Sequence, residues 1–269
     1  MKIRENLKTR GRIVIKVGTA TLTYANGRLN LQRLENLSWV LTDLRHQGKE
    51  VILVSSGAIA VGAERLGLAE RPRDTRGKQA ASAVGQAVLM QIYQNFFAAY
   101  NQQVAQILLT RDVLEDEARK ENARNTFFAL LSMGVLPIVN ENDTVSTDEL
   151  DLSVSDNDTL SAYVARLTDS DLLILLSDIA GLYDADPNVY PDARLISEVS
   201  SVTDELESMA SGPVSALGTG GMITKMNAVK IVGAAGIDAV IASGKKPGVI
   251  FDILNGVPVG TLFRAEPKS

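Results

Sequence analysis

The chain has 269 residues, of which 45% are hydrophobic and 22% charged, a globular composition that excludes disordered, collagen-like and coiled-coil proteins. It has no cysteine and one histidine, so disulfides, thiolate metal sites, a cysteine nucleophile and any mechanism that needs two histidines are excluded. The net charge of −5 argues against a nucleic-acid-binding surface. No apolar run reaches the length of about 18 residues that a membrane span needs. We therefore expect a soluble, cytoplasmic protein.

Short apolar segments rich in β-branched residues predict the strands, and each is apolar on both faces, as the strands of a buried parallel sheet are. They cover residues 13–17, 51–55, 104–109, 135–139, 172–177 and 239–242. Helical patterns lie between them, at residues 31–44 with Asn30 as N-cap, and at 79–100, 121–133, 158–167 and 221–235. Strands that alternate with helices predict βαβ units in an α/β sandwich, and no linker divides the chain.

Ligands of such sheets bind beyond the carboxyl ends of the strands, so the residues that follow each strand are the candidates for a site. The first strand contains Lys16 and ends at Gly18, which indicates either an ammonium directed at a phosphate or a lysine that extends to water. The second ends in Ser55-Ser56-Gly57-Ala58, which is typical of an anion site at a helix N-terminus, or of a tight packing turn.

Two polar clusters follow the fourth strand: Asn140-Glu141-Asn142-Asp143 and Asp156-Asn157-Asp158. A surface loop with Asx turns would explain them, but their position directly after a buried strand favours a site. A calcium-binding EF-hand is excluded, because Leu160 occupies the fifth loop position and no glycine follows it.

Two further segments are typical of nucleotide binding. Ser177-Asp178 ends the fifth strand, where a hydroxyl and a carboxylate can bind a ribose or order a loop. The segment 218–225 has three glycines in four positions, opens a helix and ends at Lys225, like a phosphate-binding loop. It is not a Walker A motif, because no G-x-x-x-x-G-K-[ST] occurs. It is not a Rossmann fingerprint either, because Ile223 stands where the third glycine would be.

The remaining candidates are interpreted structurally. His46 falls in the last turn of its helix, where the helix dipole favours a cation. Trp39, Phe96 and Phe97 are expected to be core or interface aromatics.

Taken together and in order, these motifs resemble the amino-acid kinase family, and within it the members that phosphorylate glutamate. The resemblance runs from about residue 12 to residue 263. It implies a three-layer α/β/α sandwich around a mainly parallel eight-stranded sheet. It also implies one amino-acid kinase domain over residues 1–269, with a glutamate-binding lobe over about 1–170 and a nucleotide-binding lobe over about 171–269.

The resemblance also implies the activity: transfer of phosphate from ATP, with Mg²⁺, to the γ-carboxylate of L-glutamate, the first step of proline biosynthesis. The catalytic residues would be Lys16, Lys225 and Asp158, and the glutamate-binding residues Ser56, Asp143 and Asn157, with no direct protein ligand to the metal. The nucleotide-binding residues would be Lys16, Ser177, Asp178, Thr219, Gly220, Gly221, Met222, Ile223, Thr224 and Lys225.

The implied partners are proline as a feedback inhibitor, further copies of the chain in a dimer or tetramer, and glutamyl phosphate reductase; neither nucleic acid nor membrane is expected. Three departures from the pattern stand out. Ser155 occurs where many relatives have glycine, Ser177 replaces a commoner threonine, and the chain has no C-terminal PUA domain.

Two alternatives stay open. One is a kinase of the same fold that acts on N-acetylglutamate. Asp143 argues against it, because a free ammonium favours a carboxylate partner and an acetylated nitrogen does not. The other is a non-catalytic amino-acid sensor, which would not need Lys16, Asp158 and Lys225 together.

Overall fold

An eight-stranded sheet lies at the centre of the computed structural model, which describes residues 2–145, 156–187, 189–203, 206 and 221–265. The strand order is β3-β4-β2-β1-β5-β7-β8-β6. The strands are β1 Arg12–Val17, β2 Glu50–Ser55, β3 Val104–Leu109, β4 Leu136–Glu141, β5 Leu172–Ser177, β6 Glu198–Val199, β7 Asp238–Ser243 and β8 Thr261–Phe263.

Six adjacent strands, β3 to β7 in spatial order, pair in parallel. Strand β8 runs antiparallel to β7, and β6 pairs in parallel with β8. The prediction of a mainly parallel sheet is therefore confirmed. The short strands β6, at the edge of the sheet, and β8, between β7 and β6, carry too little apolar sequence to be predicted.

The helices pack on the two faces of the sheet and complete three layers. They are α1 Lys2–Glu5, α2 Thr19–Leu22, α3 Leu31–His46, α4 Ala58–Arg65, α5 Thr75–Ala98, α6 Arg111–Glu115, α7 Glu117–Ser132, α8 Asn157–Leu167, α9 Met222–Gly233 and α10 Val249–Leu254. Alternate side chains of β1 enter different cores. Ile13 and Ile15 join the core formed with α3, α5 and α10, whereas Val14 joins the core formed with α7, α8 and α9. The α/β/α sandwich is confirmed.

The predicted elements all form, and their bounds differ where the local signals are polar. Helix α5 begins at Thr75 rather than at residue 79, because the Asp74 side chain accepts a hydrogen bond from the backbone N–H of Gly77. Helix α7 begins at Glu117 rather than at 121, with Asp116 as its N-cap. Polar first turns lack the apolar periodicity from which the helices were predicted.

The strand order determines where a site can form. Strand β1 lies between β2 and β5, so the chain leaves β1 toward one half of the sheet and later returns to its other side. A crevice opens at the carboxyl ends of the strands at such a point. Among the described residues, no helix combines the length and the apolar character that crossing a membrane requires.

Candidate active site

A cleft opens at the carboxyl ends of β1, β2, β4 and β5, and the first turns of α2, α4 and α8 border it. It gathers residues from every predicted motif, including Lys16, Ser56, Asp143, Asn157, Asp158, Ser177, Asp178 and Lys225. The fold therefore brings together side chains that are distant in sequence.

A buried cluster of three charges forms one wall of the cleft. The Asp158 carboxylate forms a salt bridge with Lys16 Nζ at 2.6 Å and accepts a hydrogen bond from Lys225 Nζ at 3.1 Å. Thr224 Oγ1 donates to the same carboxylate at 2.8 Å. Lys16, Asp158 and Lys225 are 7%, 1% and 6% exposed. Two ammonium groups against one carboxylate leave a net charge of +1, which is suited to an anionic ligand.

The charges stabilise each other in this cluster. Burial by itself would raise the pKa of Asp158, but the positive charges of Lys16 and Lys225 outweigh it and hold the pKa of this carboxyl below its ordinary value. The carboxylate in turn allows two ammonium groups to remain buried side by side. Lys16 is thus not a lysine that extends from the strand to water.

The first turn of α8 presents Asn157 and Asp158 to the cleft. Asp156 is the N-cap of this helix and accepts from the backbone N–H of Asp158 at 2.6 Å and of Thr159 at 3.0 Å. Burial, and then the neighbouring charge of Asp158, raise the pKa of Asp156. This cap fixes the direction in which the two following side chains point.

An amide network holds the second wall. Asn157 Nδ2 donates to Ser56 Oγ at 2.8 Å and to Asn140 Oδ1 at 2.9 Å, and Asn140 Nδ2 donates to Gln86 Oε1 at 2.9 Å. These bonds join the ends of β2 and β4 to α5 and α8. The hydroxyl of Ser56 and the amide of Asn157 therefore reach the cleft in fixed positions.

The turn after β2 is shaped by backbone packing. Gly57 has φ of 109°, in the left-handed region that favours glycine, and precedes the first residue of α4. Helices α4 and α5 then approach closely: a Cβ atom at Gly85 would lie 1.8 Å from the carbonyl oxygen of Ala58. This contact fixes the N-terminus of α4 against the part of α5 that carries Gln86.

Asp143 lies in the cleft beyond β4, and Ser82 Oγ donates to its carboxylate at 2.5 Å. Burial raises the pKa of Asp143, while the hydrogen bond from Ser82 and the positive charge of Arg71 partly oppose that rise. The carboxylate is thus held in a poorly solvated position, where a cationic group would be a favourable partner.

Ser177 and Asp178 line the opposite side of the cleft, and Ser177 Oγ donates to Asp178 Oδ1 at 3.0 Å. Gly221 stands at the N-cap of α9, whose first turn contains Met222, Ile223 and Thr224. Ile223 is 46% exposed. The predicted residues Thr219 and Gly220, like Ser155, lie outside the described residues.

Sequence reasoning missed several residues of the site. Asn140 belongs to a motif that the sequence analysis singled out. An amide at the end of a strand is a typical site residue, so Asn140 could have been predicted from the sequence. Gln86, Ser82 and Arg71 carried no signal, because α5 and the loop before it contain many polar residues. His46 ends α3 just before β2 begins, at the edge of the sheet opposite the cleft.

The described residues contain no cluster of three or more His, Cys, Asp or Glu side chains that would hold a metal ion. Of the carboxylates that line the cleft, Asp158 is held by two lysines. A divalent ion that reaches the cleft on the phosphates of a nucleotide fits this donor set, because Mg²⁺ commonly keeps water and phosphate ligands.

Comparison with known proteins points to one family. The sequence profile of the amino acid kinase family matches residues 11–243. A glutamate 5-kinase of Clostridium perfringens is 52% identical over 98% of this chain and 99% of that protein. A glutamate 5-kinase of Listeria welshimeri is also 52% identical, over 99% of this chain and 98% of that protein.

Solved structures agree on the fold. A UMP kinase from Bacillus anthracis aligns with a TM-score of 0.63 and 17% identity, over 96% of this chain and 97% of that one. A carbamate kinase from Giardia lamblia, bound to AMP-PNP, aligns with a TM-score of 0.64 and 19% identity, over 96% of this chain and 100% of that one.

Proposed function

Because this chain belongs to the amino acid kinase family, we propose that it transfers the γ-phosphoryl group of ATP to the γ-carboxylate of L-glutamate. The products are L-glutamyl 5-phosphate and ADP, and the reaction is the first step of proline biosynthesis. The buried Lys16–Asp158–Lys225 cluster, at the end of a cleft that also holds Asp143, is the observation that carries the proposal.

The chemistry needs no general base. The acceptor is a carboxylate, which is already ionised at neutral pH. Phosphoryl transfer depends mainly on positioning and on neutralisation of charge, so a cleft without histidine or cysteine is sufficient. We assign Lys16 and Lys225 to the charge that develops on the transferred group, and Asp158 to holding both lysines in place.

The glutamate would be bound by Ser56, Asp143 and Asn157. A carboxylate at Asp143 pairs with the free ammonium of glutamate, which an N-acetylated substrate lacks. The hydroxyl of Ser56 and the amide of Asn157, already aligned by their mutual hydrogen bond, supply polar contacts to the rest of the molecule. We assign these residues to a glutamate-binding lobe over about residues 1–170.

The nucleotide would be bound by the lobe over about residues 171–269. Ser177 and Asp178 offer a hydroxyl and a carboxylate at the end of β5, and the segment from Thr219 to Lys225 leads into the N-terminus of α9, where backbone N–H groups favour phosphate. Mg²⁺ would arrive with ATP and reduce the negative charge of its phosphates.

The further expectations follow the family resemblance. Proline carries the same α-carboxylate and a cationic amine, but has no γ-carboxylate, so it would occupy the glutamate site without accepting phosphate. We also propose a homo-oligomer, a dimer or tetramer, and glutamyl phosphate reductase as the partner that consumes the labile acyl phosphate. The protein would act in the cytoplasm.

The test compares ATP turnover with L-glutamate, N-acetyl-L-glutamate and L-aspartate as acceptors, and traps the acyl phosphate with hydroxylamine. We expect a hydroxamate that depends on both ATP and glutamate, with little product from the other two. A clear preference for N-acetylglutamate would contradict the assignment of Asp143. ATP-dependent binding of glutamate without any turnover would indicate an amino-acid sensor.

A further inference from the structure

Arg71 stands at the mouth of the cleft without an assigned role. It belongs to the loop between α4, which ends at Arg65, and α5, which begins at Thr75. Its side chain is exposed, yet it lines the same cleft as Asp143 and Ser56. A cation in this position faces whatever enters the cleft from solvent.

Arg71 differs from the other cations of the cleft in its partners. Lys16 and Lys225 both contact the Asp158 carboxylate. Within the described part of the chain, Arg71 makes no hydrogen bond and no ion pair shorter than 4 Å, whereas Arg73, two positions away, lies 3.8 Å from Glu70. An arginine fork with no protein partner is well suited to bind a carboxylate with two parallel hydrogen bonds.

Arg71 and Asp143 line the same cleft, and the positive charge of Arg71 opposes the rise that burial causes in the pKa of the Asp143 carboxyl. The two side chains are therefore near enough to interact electrostatically but do not form a contact ion pair. Such a separated pair of opposite charges is complementary to the head group of an α-amino acid, which carries an ammonium and a carboxylate on one carbon.

We propose that Arg71 binds the α-carboxylate of the amino-acid substrate, while Asp143 binds its ammonium. This inference rests on the proposed function and adds the residue that recognises the head group. The γ-carboxylate of the same molecule is then free to extend toward Lys16 and Lys225, where the phosphoryl group is transferred. Arg71 would thus make the enzyme prefer acceptors that carry the α-carboxylate over acceptors that carry only the reacting γ-carboxylate.

The first test compares Arg71→Gln with the matched control Arg73→Gln, from the same loop. A charge-assisted hydrogen bond contributes about 1.5–3 kcal/mol, so Arg71→Gln is expected to raise the KM for glutamate by roughly 10- to 150-fold. The kcat at saturating glutamate and the KM for ATP should change little, because the contact is made equally in the ground and transition states. Arg73→Gln should leave all three constants unchanged.

The second test identifies the group that Arg71 binds. 4-Aminobutyrate is glutamate without its α-carboxylate, and glutarate is glutamate without its ammonium. Both are measured as competitive inhibitors of glutamate phosphorylation. We expect Arg71→Gln to weaken inhibition by glutarate but to leave inhibition by 4-aminobutyrate unchanged. Asp143→Asn should show the opposite pattern.

Three outcomes would overturn the proposal. If the wild type is active and Arg71→Gln leaves the glutamate KM unchanged, the assignment of Arg71 is refuted, whereas the proposed function is not. If Arg71→Gln weakens inhibition by glutarate and by 4-aminobutyrate equally, the substitution has displaced the loop and has not removed one specific contact. A wild type without glutamate-dependent turnover would refute the proposed function, and the role of Arg71 with it.

Discussion

Replacement of Asp158 by asparagine tests the buried charge cluster most directly. The change keeps the shape of the side chain but removes the negative charge that both Lys16 and Lys225 contact, at 2.6 and 3.1 Å. Two buried ammonium groups then remain without the carboxylate that both of them contact. Loss of one partner from a buried ion pair typically costs about 3–5 kcal/mol.

That cost would be visible in unfolding experiments at neutral pH. For a domain of this size, a loss of 1 kcal/mol lowers Tm by about 2–4 °C, so we expect a decrease of roughly 6–20 °C for Asp158→Asn. The matched control is Glu117→Gln, which removes an exposed ion pair with Lys120. Its effect on the free energy of unfolding should stay within about 0.5 kcal/mol.

A second variant separates charge from packing. In Asp158→Asn combined with Lys225→Met, only one buried ammonium is left, so the double variant should be more stable than the sum of the two single losses predicts. The idea that the charges depend on one another would be refuted by either of two results. One is that the two single losses of stability add strictly in the double variant, and the other is that Asp158→Asn is as stable as the wild type.

The pH dependence has a defined sign. The pKa of Asp158 is lowered in the folded state, so its charge adds stability above the ordinary pKa of a free aspartate, and this contribution is lost as pH falls through the lowered value. The difference in unfolding free energy between wild type and Asp158→Asn should therefore shrink on acidification below about pH 4. A difference that grows in acid would contradict the reasoning.

Further predictions address the chemistry and the packing of the site. Lys225→Ala should lower kcat by about 10²–10³-fold, and near-normal kcat would contradict its assignment. Ser82→Ala removes a hydrogen bond that opposes the raised pKa of Asp143, so the acid limb of kcat/KM for glutamate should move to higher pH; an unmoved limb would speak against Asp143 as the ammonium partner. Gly85→Ala places a methyl group 1.8 Å from the Ala58 carbonyl oxygen, so unfolding in urea should show a loss of more than about 2 kcal/mol. Proline should raise the apparent glutamate KM far more than it lowers the maximal rate, and inhibition that saturating glutamate cannot overcome would point to a separate site.

The sequence was sufficient for the fold class. Apolar segments such as 172–177 are buried on both faces, and this pattern is local, so it can be read without the structure. The short strands β6 and β8 could not be predicted, because two or three residues are too few to show a period. The starts of α5 and α7 were missed because side-chain caps, rather than apolar spacing, begin those helices.

The sequence also placed the candidate site residues at strand ends, but it left the role of Lys16 open between a site and an exposed strand end. The tertiary structure decided this, because Asp158 and Lys225, 67 positions apart, meet Lys16 only after the sheet has formed. Ser56 and Asn157, 101 positions apart, became partners in the same way. Periodicity records which face of an element is buried, whereas the pairing of charges depends on crossovers that bring distant strand ends to one edge.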